Sequence, residues 1–301
     1  MPFHVIVGAG AVAVAAARRL ADAGDEVRLV SRRATAPAHE RITPVALDAT
    51  DADALTELSR GAATIFNCAA PEYSSWPKAL PPLFRAVLEA AERSRTDYVM
   101  LGNLYGYGPA DETITEDTPL AATGPKGRVR AQMWQEALKA HAEGRVRATE
   151  VRAGQFLGPG VISIFSLTVQ AKVLAGQLAL VPSELDTPGC FTTLDDAAGA
   201  LVAVGAGGEQ SWGRAWHAPI TVTTVRDIAT RLAALADAPA PRLATMNDRE
   251  LALLSLISPL WGELEETRYM THRPFVVDSG RIEAAFGLKP EPLDDVLRQL
   301  F

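Results

Sequence analysis

The sequence predicts an α/β fold: a doubly wound parallel sheet with a smaller, mostly helical C-terminal lobe. Three observations predict it. Strand-like and helix-like segments alternate through the first half, the pattern of a parallel sheet covered on both faces. The strand segments are short continuous apolar runs, as expected for strands buried on both sides. The alternation then stops after Ala153, where helix and loop take over.

Phe3 to Val7 reads as the first strand, residues 11–23 as an Ala-rich helix stopped by Gly24, and Glu26 to Val30 as the second strand. That is the length of one strand–helix–strand unit. Thr43 to Leu47 follows as a strand, Asp51 to Ser59 as a helix, and Ala63 to Cys68 as a strand. Pro82 to Ser94 carries Leu83, Val87, Leu88 and Ala91 on one helical stripe. Tyr98 to Leu101 is a strand, Gly127 to Ala142 a long helix and Ala148 to Arg152 a sixth strand. Gly158-Pro159-Gly160 marks a turn. Beyond it, Ile164 to Ala175, Thr224 to Leu235 and Asp248 to Ile257 read as helices, Leu178 to Val181 as a short strand, and Pro239-Ala240-Pro241 as a break. Asp195-Asp196 sit where a helix starts, since helix N-termini favour carboxylates. The expected division gives residues 1–155, with 190–217, to the sheet domain. Residues 156–189 and 218–301 form the lobe over the carboxyl ends of the strands, where such sheets bind ligands.

The most specific local signal is Gly8-Ala9-Gly10-Ala11-Val12-Ala13, which fits G-x-G-x-x-A between a strand and a helix. Gly8 permits the tight turn, Gly10 lets the backbone approach a pyrophosphate, and Ala13 lets the helix pack close to the strand. The free N–H groups of Ala11 and Val12 and the positive end of the helix face the phosphates. This is the dinucleotide-binding loop of a Rossmann domain; the bland alternative is a tight turn without a ligand. At the end of the second strand an NAD site usually carries Asp or Glu for the ribose hydroxyls. Here the residues are Ser31-Arg32-Arg33. Two guanidiniums suit a 2′-phosphate, so the expected cofactor is NADP(H) rather than NAD(H), unless both arginines are only solvated.

Composition narrows the remaining classes. A net charge of −7 gives no electrostatic footprint for nucleic acid. No apolar run approaches the roughly 20 residues that span a bilayer. The two cysteines, Cys68 and Cys190, lie far apart without metal spacing, which suggests a reducing, cytoplasmic setting. None of the five histidines pairs at metal-ligand spacing, and no G-x-S-x-G supports a serine hydrolase. No metal is expected. His217 is a candidate near the lobe junction, with packing as its default role. Trp261, Tyr269, Met270 and Phe275 form either a pocket wall or core.

The order of further motifs resembles the extended short-chain dehydrogenases/reductases of the NAD-dependent epimerase/dehydratase type, over most of the chain. They are Asp48-Ala49, Asn67-Cys68-Ala69-Ala70, Leu104-Tyr105-Gly106-Tyr107-Gly108-Pro109, Thr115 to Pro119, Val151-Arg152-Ala153 through Gly160, Thr192 to Ala197 and Phe286 to Pro290. The resemblance implies that Asp48 and Ala49 lie at the adenine and Cys68, Ala69 and Ala70 beside the cofactor. It also implies a homodimer through the helices at 82–94 and 127–142.

The catalytic part departs from that family. Its Y-x-x-x-K, with a Ser or Thr, is absent from Ala122 to Arg130. In one register Lys126 takes the Tyr place and Arg130 the Lys place, with Gly127 matching the glycine that often follows. In the other, Lys126 keeps the Lys place and Ala122 replaces Tyr. The Ser/Thr place falls on Leu101 or Asn103, of which only Asn103 can donate to an oxyanion. Tyr105 and Tyr107 are the remaining proton-transfer candidates; otherwise they line the pocket or pack beneath the loop. The expected function is an NADP(H)-dependent oxidoreductase acting on a small organic substrate. Alternatives are a nucleotide-sugar epimerase or dehydratase, and a non-catalytic NADP(H)-binding regulator.

Overall fold

The computed structural model describes residues 2–301. Strand β1 (Phe3–Val7) leads through helix α1 (Ala11–Asp22) to β2 (Glu26–Ser31) and β3 (Ile42–Ala46). Helix α2 (Ala52–Ser59), β4 (Thr64–Asn67), α3 (Trp76–Ser94), β5 (Asp97–Asn103), α4 (Pro125–Ala142) and β6 (Ala148–Ala153) follow. The later elements are β7 (Gln155–Phe156), α5 (Ala171–Leu174), β8 (Leu178–Val181), β9 (Gly189–Thr192) and α6 (Leu194–Ala206). Then come β10 (Ala215–His217), β11 (Thr221–Thr223), α7 (Val225–Leu235), β12 (Arg242–Thr245), α8 (Asp248–Ile257) and α9 (Pro259–Glu263).

Seven parallel strands form the main sheet in the order β10-β6-β5-β4-β1-β2-β3. The order runs one way from β1 to β3 and the other way from β4 to β10. The reversal opens a crevice at the carboxyl ends of β1 and β4, which is where such sheets take ligands. Side chains alternate between two cores, as the period-2 geometry of strands requires. Ile6, Leu29, Phe66 and Val99 pack with α1 and α6 on one face. Val5, Val7, Ile65, Tyr98 and Met100 pack with α2, α3 and α4 on the other. Their apolar burial is the main force holding the layers together.

Four segments add to or depart from the sequence expectation. Helix α3 starts at Trp76, six residues before Pro82, and contains both Pro81 and Pro82. Proline favours a first helical turn, so the sequence reads as a start at Pro82. The earlier turn is held instead by Trp76, whose indole N–H donates to the Pro71 carbonyl at 3.1 Å. The stretch Ile164 to Ala175 is helical as expected through Leu174, but its middle, Ser166–Gln170, is wound as a π-helix before α5. Two short strands carry too little pattern to be read locally. Ala215–His217 completes the main sheet beside β6, and Arg242–Thr245 pairs in parallel with β8 just after the Pro239–Pro241 break. A third sheet joins β11, β9 and β7 beside the carboxyl edge. Among the described residues, no helix is long and apolar enough to cross a membrane.

Candidate functional site

The glycine loop is built as its sequence requires. Gly8 has φ +106°, a conformation L side chains rarely adopt, and a Cβ there would lie 2.9 Å from the Ala69 backbone. The β1 and β4 loops therefore approach through a glycine-sized gap. The Gly8 N–H donates to Val30 O at 2.9 Å and the Cys68 N–H to Val7 O at 2.9 Å. At Gly10, by contrast, φ is −73° and a Cβ would meet nothing within 4 Å. Helix α1 has no side-chain cap and no acid in its first turn. Asp51, Thr193, Thr224 and Asn247 cap α2, α6, α7 and α8. The Ala11 and Val12 N–H groups thus face the crevice as donors for an anion.

Around this loop the other expected cofactor residues stand at strand ends. Ser31 closes β2, and its Oγ accepts from the Thr35 N–H at 3.1 Å. Arg32 and Arg33 are exposed and make no ion pair among the described residues. Asp48, after β3, accepts from the Thr50 N–H and hydroxyl, and these bonds hold its carboxyl below the usual range. Ala49 is buried in the core behind it. Asn67 ends β4 with Nδ2 donating to Tyr98 Oη at 2.8 Å, which fixes the turn into Cys68, Ala69 and Ala70. Burial pushes the Cys68 thiol up to about 12, so it is no nucleophile at neutral pH.

At the end of β5, Asn103 and Tyr105 open onto a cavity of about 410 Å³ between the sheet edge and the 155–167 and 260–271 segments. Asn103 Oδ1 accepts the Tyr105 N–H at 3.2 Å, leaving its Nδ2 as a donor at the wall. Tyr73 Oη donates to Tyr105 Oη at 3.3 Å, so the Tyr105 proton remains available. Desolvation raises the pKa of Tyr105, which favours the neutral donor. Trp261 and Met270 line the same space; Tyr269 and Phe275 instead pack in the neighbouring core.

Lys126 is not an exposed helix-start lysine. It is 1% exposed at the first turn of α4, with Nζ paired to Glu263 and, at 3.3 Å, to Glu266, and lying 4.6 Å from the Tyr73 ring centre. Glu266 Oε1 also accepts the Lys126 and Gly127 N–H groups, at 2.5 and 3.0 Å, and so caps α4 across the lobe junction. Gly127 is required there, because a Cβ would sit 2.7 Å from Tyr105 O. One turn on, Arg130 is buried over the Trp76 ring at 4.3 Å and donates to Leu101 O at 3.2 Å.

Tyr107 parts from Tyr105. It is buried, accepts from Arg152 at 2.6 Å and bonds His217 Nε2 at 2.6 Å. His217 Nδ1 lies 2.6 Å from Asp278 O, so a neutral imidazole donating through Nδ1 satisfies every partner. Neither Tyr107 nor His217 lines the cavity. Burial lowers the His217 pKa to about 4. Its folded value lies below its unfolded one, so its contribution is present above the unfolded pKa and is lost as pH falls through that window. Stability is expected to drop by roughly 3 kcal/mol from this group over that window. Urea midpoints of wild type and His217→Gln should diverge in acid slope; equal slopes would contradict the assignment.

Tyr73, Glu263 and Glu266, whose partners converge only in the fold, were not expected from the sequence, nor was the Glu150–Arg152 pair within β6. Among the described residues no group of His, Cys, Asp and Glu gathers as a metal site.

Known proteins can be compared with this geometry. The structure superposes on a dTDP-glucose 4,6-dehydratase from Bacillus anthracis in complex with NAD, with TM-score 0.79 and 14% identity, covering 100% of this chain and 95% of that one. A dTDP-glucose 4,6-dehydratase from Streptomyces venezuelae gives 0.78 and 19%, covering 99% and 96%. A UDP-glucuronic acid 4-epimerase from Bacillus cereus gives 0.79 and 13%, covering 99% and 96%. These likenesses establish the fold. A sequence comparison with curated proteins gave no significant match. The family model described as "NAD dependent epimerase/dehydratase family" matches residues 4–210, and with more than half its length matched this chain belongs to that family.

Proposed function

We propose that the chain is a nicotinamide-dinucleotide-dependent enzyme of the epimerase/dehydratase type, holding its substrate in the cavity beside Asn103 and Tyr105. Family membership supports this chemistry over a free-standing NADP(H) reductase or a non-catalytic regulator. The observation that carries the cofactor is the uncapped N-terminus of α1 above the Gly8 turn, with open space at Gly10. A pyrophosphate fits that cradle. When bound, the nicotinamide would supply the hydride chemistry. The protein's part is to donate hydrogen bonds from Asn103 Nδ2 and Tyr105 Oη to a substrate oxygen and to exclude water. Lys126 holds the lobe against α4 through Glu263 and Glu266. In this reading residues 1–155 with 190–217 carry the dinucleotide, and 156–189 with 218–301 carry the substrate; a homodimer through α3 and α4 remains part of the proposal.

A sugar nucleotide is the second substrate reading, favoured by what the similar structures are named for. The same crystals name NAD. For this chain, Arg32 and Arg33 without a carboxylate favour NADP(H). Titration with NADPH and NADH should show NADPH tighter by about tenfold, since a charge-assisted bond contributes roughly 1.5–3 kcal/mol. Arg32→Ala should remove most of that preference while NADH affinity holds. Equal affinities in wild type would assign the site to NAD instead.

A further inference from the structure

The walls of the cavity point to a substrate class, on the reading above that this cavity holds the substrate. We propose that it accepts an uncharged, largely apolar small molecule with one polar group, and not a nucleoside diphosphate.

The lining is mostly apolar, with Trp76, Phe156, Leu260, Trp261 and Leu264, and carries uncharged polar side chains at Gln155, Ser163, Thr267 and Thr271. The apolar character continues to the mouth, where Ile162 and Leu167 are 84% and 53% exposed. No Lys, Arg or His side chain is among the described lining residues. A diphosphate taken out of water needs cations or several aimed donors. Of the nearby cations, Lys126 and Arg268 are committed to carboxylates. Lys126 sits between Glu263 and Glu266, which leaves that cluster net anionic. Arg268 pairs with Asp248 at 2.9 Å and Glu265 at 3.5 Å. Arg130 is not among the lining residues; it lies against Trp76 and binds Leu101 O, and its Nε has no hydrogen-bond partner among the described residues.

The adjoining hollow, behind Ile164 and Met270, holds about 20 Å³, the space of one water. Asn103 Nδ2 and Tyr105 Oη stand together at the sheet edge, so an apolar body would fill the lobe side with its oxygen toward them.

The test uses the intrinsic fluorescence of Trp76 and Trp261 in the full chain, with and without NADPH. The probes are 2-decalone and nonan-2-one, against UDP-glucose and dTDP-glucose. The expected result is saturable binding of the ketones, about tenfold or more tighter than either sugar nucleotide. Leu264→Trp should weaken the ketones by about tenfold by filling the space. Leu167→Trp, at the exposed mouth, provides a second block with little risk to folding. Tighter binding of a sugar nucleotide, or no saturable ketone binding, would overturn the proposal. Dinucleotide binding measured in the same samples separates the two ideas. Its persistence with failed ketone binding sinks the substrate class alone, while its absence sinks the cofactor reading.

Discussion

Replacing Arg152 by Ala is expected to destabilise the fold by about 3–5 kcal/mol, the usual cost of breaking a buried ion pair from one side. Arg152 and Glu150 are 3% and 2% exposed on β6, the strand beside the edge strand β10, joined Nε to Oε2 at 2.7 Å. The same guanidinium donates to Tyr107 Oη and lies 4.9 Å from the Tyr107 ring centre. Removing it strands a carboxylate and orphans an acceptor. Desolvation already pushes the Glu150 pKa above its usual range, with Arg152 as the chief opposing influence. A group whose folded pKa is raised loses stability as pH rises through that value. The variant should therefore be least impaired in acid and worsen toward neutral pH. Urea denaturation at two pH values checks this. A loss below about 1 kcal/mol at neutral pH would show that the pair is not buried as described. Arg152→Met with Glu150→Gln should recover much of the loss, because two apolar or neutral groups leave no uncompensated charge.

Gly10→Val is expected to abolish most dinucleotide binding and leave folding intact. The backbone at Gly10 is in the extended region open to any residue, and a Cβ there touches nothing in the protein. The β-branched side chain would occupy the space assigned to the pyrophosphate and separate it from the α1 N–H groups. Losing one or two charge-assisted hydrogen bonds weakens affinity by about 10- to 100-fold or more. Gly8→Val is the informative contrast. Its positive φ and the 2.9 Å approach to Ala69 make it a folding defect, visible in the melting temperature without any ligand.

How much of this was legible before folding depends on the range of the interaction. The sheet was legible because its strands are continuous apolar runs set between helices, and because the Gly8–Ala13 turn is local. Strand and helix ends were misplaced where a local preference was overruled, as at Pro81 and Pro82 within α3. The three-residue strand Ala215–His217 has no pattern of its own; it exists because β6 offers it an edge. The site was less legible. Lys126 could be named from its place in a motif. Its partners Glu263 and Glu266 are 137 and 140 residues away, in a stretch with no signal beyond exposed charge. Tyr105 and Tyr107 look equivalent in sequence, but one turn of backbone sends one to the cavity and the other to His217. Glu150 and Arg152 did leave a signal. Opposite charges two apart in an otherwise apolar strand share a face, and on a buried strand they must pair.

The central claim is that the edge formed by β1, α1 and β4 binds a nicotinamide dinucleotide. Calorimetric titration of the unmodified chain with NADPH and with NADH, beside Gly10→Val, tests it most directly. The predicted result is one saturable site per chain for at least one dinucleotide, lost in Gly10→Val at an unchanged melting temperature. No saturable heat from either dinucleotide with a folded wild-type chain, or binding that survives Gly10→Val undiminished, would contradict it.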